Sequence, residues 1–157
     1  MNTPSHAGLY IISDQFFIDF PSRNFMQNKH ESRPHYYAFR DSDGIYWVIP
    51  ISSKVQKYSG LITATESKHG KGSCVLYCIA KIHGADRAFL IRNMFPVTEK
   101  YILRPFTIGG VPYIVQNPAV INSVNSRAKR FLSLVKRGVM TSPVDILSIR
   151  SKLLSSE

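Results

Sequence analysis

The stretch PHYYAFRDSDGIYWVIPI, residues 34 to 51, leaves the chain the least freedom. Aromatic and β-branched residues run on both sides of Asp43-Gly44, and glycine tolerates the positive φ that a tight reversal demands. The stretch therefore predicts an antiparallel hairpin. Its D-x-D-G string also matches the opening of a calcium loop, but the downstream carboxylate such a loop needs is missing. A hairpin this apolar must be covered, so the rest of the chain has to build a core around it.

The remaining segments supply that cover. GLYIIS (8–13) reads as a first strand, DQFFIDF after Ser13 as a helical turn ended by Pro21, and residues 22–32 as a polar irregular loop. CVLYCIAKIHG and RAFLIRNMFPV predict a second hairpin around Gly84-Ala85-Asp86. TEKYIL reads as a helical turn, and FTIGGVPYIV as two short strands bent at Gly109-Gly110. Asn117 before Pro118 is a good cap and first-turn pair. From there Val120, Ile121, Val124, Ala128, Phe131, Leu132 and Val135 recur on one helical face, with Arg127, Lys129, Arg130, Lys136 and Arg137 on the rest, until Gly138. Ser142-Pro143 is expected to open a last helix with Val144, Leu147 and Leu154 among its apolar positions. Residues 52–73 hold few strand formers, three glycines, and four lysines (Lys54, Lys57, Lys68, Lys71) against Glu66, which predicts a long mobile basic loop. The sum is an α+β chain, a strongly bent antiparallel sheet with packed helices, in a single domain over 1–157.

Charge narrows the partners. Twenty Lys+Arg against ten Asp+Glu give +10, an excess that concentrates polyanions at the surface. A membrane is the weaker choice, since no apolar run approaches the ~20 residues needed to span one. The start MNTPSHAGLY has neither a basic region nor a long apolar segment, so a cytoplasmic location is expected. Cys74 and Cys78, read as one strand, would sit about 13 Å apart on one face, beyond disulfide reach. Without a second ligand pair they form no zinc half-site either.

Nucleotide-binding and nucleophile-elbow signatures are absent, and His6, His30, His35, His69 and His83 show no metal-ligand spacing. Acidic residues are too few and scattered for a two-metal nuclease. RNA cleavage without metal needs something else: a 2′-hydroxyl aligned on the phosphate, and hydroxyls and cations to stabilise the phosphorane. SSKVQKY offers those types in Ser52, Ser53, Lys54, Lys57 and Tyr58, where the strand ends after Pro50. Tyr36, Tyr37, Tyr46 and Trp47 alternate beside Arg33, His35 and Arg40, as in surfaces that stack unpaired bases. These residues alone leave open catalysis, passive RNA binding by a non-catalytic basic protein, and an unrelated role.

The order LYIISDQFFIDF, RPHYYAF, WVIPISSKVQKY, FLIRNMFPVTEKYI and INSVNSRAKRFLSLVKRG resembles the toxins of type III toxin–antitoxin systems. These are the ToxN/AbiQ endoribonucleases, and especially their CptN/TenpN-like relatives; the resemblance spans residues 8–138. It implies a Kid/MazF-like twisted antiparallel sheet with an SH3-like barrel core, packed helices and a long C-terminal helix. It implies a metal-independent, sequence-preferring RNase, without cofactor, that leaves 2′,3′-cyclic phosphate and 5′-hydroxyl ends. The partner it implies is a repeated pseudoknot RNA antitoxin, processed by the toxin and held in a closed protein–RNA hetero-oligomer, with growth arrest serving phage defence. The family's hydroxyl-and-lysine motif falls on Ser52 and Ser53 with Lys57 or Lys54. Here Lys54 follows Ser53 directly, where the ToxN pattern has a proline between. His35 stands where some relatives carry a lysine, and is expected to assist as an acid–base group. Phe16 stands where some members carry a tyrosine near the first helix and is expected to stack on RNA, and Tyr58 to stack or donate a hydrogen bond. Arg33, Lys68, Lys71, Arg127, Lys129 and Arg130 are the expected phosphate contacts. A DNA-directed, MazF-like autoregulator is a further rival.

Overall fold

The computed structural model describes residues 3–156, so residues 1, 2 and 157 of the expected domain lie outside it. Its centre is the expected hairpin, β2 (Pro34–Arg40) and β3 (Tyr46–Ser52). The register runs from His35↔Pro50 to Arg40↔Tyr46, with an irregularity between Tyr37 and Phe39. Gly44 takes φ +85° in the turn, as the sequence requires. Asp41 holds the turn: its Oδ1 accepts from the Asp43 and Ile45 amides at 2.9 and 3.1 Å. Both faces of the hairpin are covered, so Tyr36, Tyr37, Tyr46 and Trp47 are all buried and none is free to stack on a base.

Six further strands are as short as their turn signals imply: β1 (Leu9–Ile12), β4 (Cys78–Ile82), β5 (Ala85–Phe89), β6 (Phe95–Val97), β7 (Ile102–Pro105) and β8 (Thr107–Ile108); β9 (Val111–Pro112) pairs only with β8. The main sheet runs β4-β5-β3-β2-β1-β7, with β6 also on β3. Every pairing in it is antiparallel. Pro50 does not end the pairing of β3, contrary to the sequence reading. It lies where the second edge of β3 changes partner, from β6 (Val48↔Phe95) to β5 (Ile51↔Phe89). A proline, lacking an N–H, is tolerated at such a break in the ladder.

The SH3-like barrel core that the resemblance implies is not present as a closed barrel; the sheet is open, and α+β with an antiparallel sheet is the description that holds. β5 grips β3 through Ile51↔Phe89 and Ser52↔Ala88 alone. The β4–β5 turn then meets the β8–β9 region by a side chain rather than a ladder: the His83 amide donates to Tyr113 Oη at 2.9 Å. A cleft occupies the gap where a barrel would have closed.

The helices are α1 (Asp14–Asp19), α2 (Val55–His69), α3 (Pro118–Lys136) and α4 (Ile146–Ser155). α3 starts where its cap predicts, with Asn117 Oδ1 accepting from the Ala119 amide at 3.0 Å, and buries Val124, Ala128, Phe131 and Leu132. Two expectations fail. The last helix opens at Asp145, whose carboxylate caps Ser148, rather than at Ser142-Pro143, so the long helix is followed by a shorter C-terminal one. Residues 55–69 are a helix rather than a mobile loop. Tyr58 anchors it in a small cluster with Cys74, Tyr77, Ala88 and Leu90, and Ile62 packs alongside. Cys74 precedes β4 instead of lying on it, and both cysteines are free thiols. Among the described residues no helix is long and apolar enough to cross a membrane.

Candidate active site

Strand β3 gives way to helix α2 within three residues, and the candidate site hangs on that corner. Ser52 still pairs with Ala88, while Lys54 is already the cap residue of the helix. Helix α2 has no side-chain cap; Ser52 instead holds the turn that leads into it, its Oγ accepting from the Lys54 amide at 3.1 Å. Ser53 makes the bend with its carbonyl, which accepts from the Val55 amide at 2.8 Å, so its side chain is free. The two serines thus part company. Ser52 is buried and holds the corner; Ser53 is exposed.

Positive charge gathers here without a counter-charge among the described residues. Lys54 and Lys57 are exposed on the first turn of α2, which carries no acidic residue, and Lys57 Nζ lies 5.2 Å from the Tyr58 ring centre. The unpaired amides and dipole of the helix start add to the same sign. Beneath them lies Arg33, only 6% exposed. Its Nε donates to Gln27 O and an Nη to Ile51 O, each at 2.7 Å. No carboxylate faces it among the described residues. Burial lowers its pKa, an effect the nearby Tyr58 opposes, yet a guanidinium remains a cation at any physiological pH. A buried cation served only by carbonyls is costly. An anion at this corner would relieve that cost, which makes the corner a good seat for a phosphate.

Several expected site residues are placed elsewhere. His35 is 1% exposed, with Nδ1 3.0 Å from Arg33 O and its ring against Phe95. Burial, reinforced by the Arg33 charge, pushes its pKa down to about 3. At neutral pH it is a neutral core ring, and it cannot act as the expected acid–base group. Phe16 is fully buried among Phe17, Phe20, Phe25, Phe95 and Tyr101, with Phe95 stacked at 5.0 Å, so it cannot meet a base. Tyr58 turns its ring inward against Tyr77 at 4.9 Å, and it too is unavailable for stacking. Arg127 is a tie rather than a phosphate contact: its Nε donates to Cys74 O at 2.9 Å and an Nη to Ser123. Lys68 and Lys71 are exposed around the far end of α2, away from the corner along the helix, and Lys129 and Arg130 are exposed on α3.

One residue without any signal in the sequence lies near this corner. The ladder between β3 and β5 ends at Ser52↔Ala88, and Arg87 is the next residue of β5 beyond that pair. An arginine in a hairpin carries no signal of its own; only the register reveals its neighbour. Among the described residues no three His, Cys, Asp or Glu side chains converge as ligands for a metal ion.

No family model matches this sequence, and no curated protein matches it. Its fold does match a solved structure of ToxN, described by the words "A processed non-coding RNA regulates a bacterial antiviral system". The likeness has a TM-score of 0.58 at 13% identity, over 93% of this chain and 96% of that one. At that identity it is the fold that is shared. The architecture first suggested by the order of sequence segments is therefore one that this solved structure shares.

Proposed function

We propose that this chain is an endoribonuclease toxin of a type III toxin–antitoxin system, cutting RNA without metal. The observation that carries the reading is the β3–α2 corner, where exposed Ser53 meets Lys54, Lys57 and the unpaired Arg33 at a helix start. The fold shared with ToxN supports it.

In the proposed reaction the 2′-oxygen bonds to phosphorus and the bond from phosphorus to the 5′-oxygen breaks. The proton lost by the 2′-hydroxyl is matched by one gained at the 5′-oxygen, leaving a 2′,3′-cyclic phosphate and a 5′-hydroxyl. Ser53 Oγ donates to a non-bridging oxygen, and Lys57, with Lys54 second, neutralises the charge that grows on the phosphorane. Arg33 adds a fixed positive field from beneath, while Ser52 keeps the corner in shape. His35 takes no part.

The inhibitor is an RNA, in the proposed reading a repeated pseudoknot that the toxin processes and then holds in a closed protein–RNA hetero-oligomer. Lys68, Lys71, Lys129 and Arg130 grip its phosphates, in a cytoplasmic single-domain protein acting in growth arrest and phage defence. The test is incubation of total RNA with the protein in EDTA, followed by mapping of both new ends. Cyclic-phosphate ends that vanish with Ser53→Ala are expected. Cleavage lost on chelation, or unaltered by Ser53→Ala, overturns the mechanism. Binding without product would make the chain a non-catalytic RNA-binding protein, and a preference for duplex DNA would make it a DNA-directed regulator.

A further inference from the structure

The gap in the unclosed sheet is a cleft of about 290 Å³, walled by Pro34, Ile51, Ile82, Arg87, Phe106 and Ile108. It adjoins the candidate active site, and the register shows on which side. Residues directly opposite on antiparallel strands share a face, and residues two apart on one strand do as well. Ile51 therefore looks to the same side as Phe89 and Arg87, and exposed Ser53 follows it two residues on, just past the end of β3. Ser52, Ala88 and the Tyr58 cluster belong to the other side, under α2. The corner thus has a catalytic rim at Ser53, with a covered support on one side and an open cleft on the other.

The chemistry of the cleft selects its occupant. Its walls are mostly apolar, with His83 at the β4–β5 turn, and include the ring of Phe106, which is only half-buried. Arg87 is the cation at the rim. One of its Nη atoms donates to Asp86 O, and the Asp86 carboxylate is engaged by Lys81, so the guanidinium has no acidic partner among the described residues. Such a mixture, a slot with apolar walls and one convergent polar fork, suits a planar heterocycle with a polar edge. The cleft is held ready: the His83 amide bond to Tyr113 pins its β4–β5 wall to the strand segment opposite.

We propose that this cleft seats one unpaired nucleobase adjacent to the phosphate that is cut, with Phe106 stacking on the base and Arg87 donating to its edge. Sequence preference at the cut then resides in these two residues, on the side of the sheet away from α2. The assignment rests on the nuclease reading for the word "cut", but the seat itself can be tested without it.

Two measurements decide. In the first, wild type, Phe106→Ala and Arg87→Ala are given total RNA and the cut positions are mapped. Both variants are expected to keep cyclic-phosphate ends while the base preference beside the cut relaxes, and the rate at the best site should fall roughly tenfold to a hundredfold. Unchanged preference and rate in both variants overturn the assignment. In the second, Ser53→Ala protein, altered only at an exposed side chain, is crosslinked to short single-stranded RNAs carrying 4-thiouridine at successive positions, and the modified peptides are identified. A crosslink to the Phe106–Ile108 segment from one position of the RNA is expected. Crosslinks confined to α2 and α3 overturn the seat, whether or not the wild type cuts RNA. A cleft crosslink together with an inactive wild type keeps the seat and sinks the nuclease reading.

Discussion

At the Tyr46 end of β3, Asp41 accepts from Trp47 Nε1 at 3.0 Å and from Arg150 Nε at 2.8 Å, and Arg150 also pairs with Asp43. At the Ser52 end of the same strand, Arg33, Lys54 and Lys57 face no carboxylate at all among the described residues. One strand therefore joins a corner whose charges are paired to a corner whose charges are not. Burial alone would push the Asp41 pKa up, but the bonds from Arg150, Trp47 and the Ile45 and Asp43 amides outweigh it and hold the carboxyl below its usual value. The first corner locks the hairpin to α4. The second holds unbalanced positive charge, which stability alone does not explain and which the proposed phosphate chemistry would use.

The largest expected effect separates these roles. Lys57→Ala should lower cleavage by about 100-fold to 1,000-fold, as removal of a group that stabilises transition-state charge usually does. Its thermal unfolding should move by no more than about 0.5 kcal/mol, since the side chain is exposed. Lys54→Ala, measured in parallel, should cost less. If Lys54→Ala proves the more damaging, Lys54 rather than Lys57 faces the phosphate.

Asp41→Ala should show the reverse pattern. It strands a buried Trp47 N–H and removes a partner from half-buried Arg150, so a loss of about 2–3 kcal/mol is expected in denaturant unfolding. Cleavage by the folded fraction at low temperature should stay near wild type. An Asp41→Ala protein that is stable but inactive would break the division between the two corners.

His35 gives a third, smaller contrast, read through pH. Unfolded, the ring gains a proton near pH 6.5; folded, it resists protonation down to about 3. Below about pH 6.5 the unfolded state binds a proton that the native state does not. Stability is thus full above that pH and falls as the pH drops toward 3, by up to about 1.4 kcal/mol per pH unit. By pH 5 the loss should reach about 2 kcal/mol, and His35→Leu should remove that part of the slope. Cleavage at pH 7 by His35→Leu should remain within about threefold of wild type if the protein folds. A hundredfold loss in a folded variant would return His35 to the chemistry.

What could be read from the sequence follows from what local pattern encodes. The β2–β3 hairpin and α3 were legible because each carries its own period and punctuation: Asp43-Gly44 in one, Asn117-Pro118 and a continuous apolar face in the other. α2 was not, because its anchoring rests on Tyr58 and Ile62 alone, with Gly60 between them and Leu61 exposed. Polar side chains satisfy its own backbone, as Thr65 does to Leu61 O and Ser67 to Thr63 O. Only packing against β4 and β5 fixes it as a helix. His35 and Phe16 were misread for a different reason. Alternation marks the two faces of β2 without saying that both are covered, and a short helical turn does not show which of its aromatics is buried; here Phe95 lies against both rings. The Ser53-Lys54-Lys57 corner was legible as a mixture of residue types. Arg87 and the cleft were not, since they exist only through strand register.

The smallest effect concerns Ser52, and it tests how sharply the corner divides. If its hydroxyl serves only to hold the turn into α2, Ser52→Ala removes the bond to the Lys54 amide and costs about 1 kcal/mol. Cleavage should fall by less than about tenfold, through looser placement of Ser53 and Lys54 rather than through lost contact with the phosphate. Ser52→Thr keeps an oxygen at the turn and should recover most of both losses. Kinetics distinguish the alternatives more finely than stability does. A supporting role that does not pass through Lys57 leaves the residual rate strongly dependent on Lys57, so Ser52→Ala and Lys57→Ala should combine close to additively. If instead Ser52→Ala alone abolishes as much activity as Lys57→Ala, and the double variant is no worse, the two groups act as one unit on the phosphate. The buried face of the corner would then belong to the reaction, and the contrast between a supporting serine and a reacting one would fall.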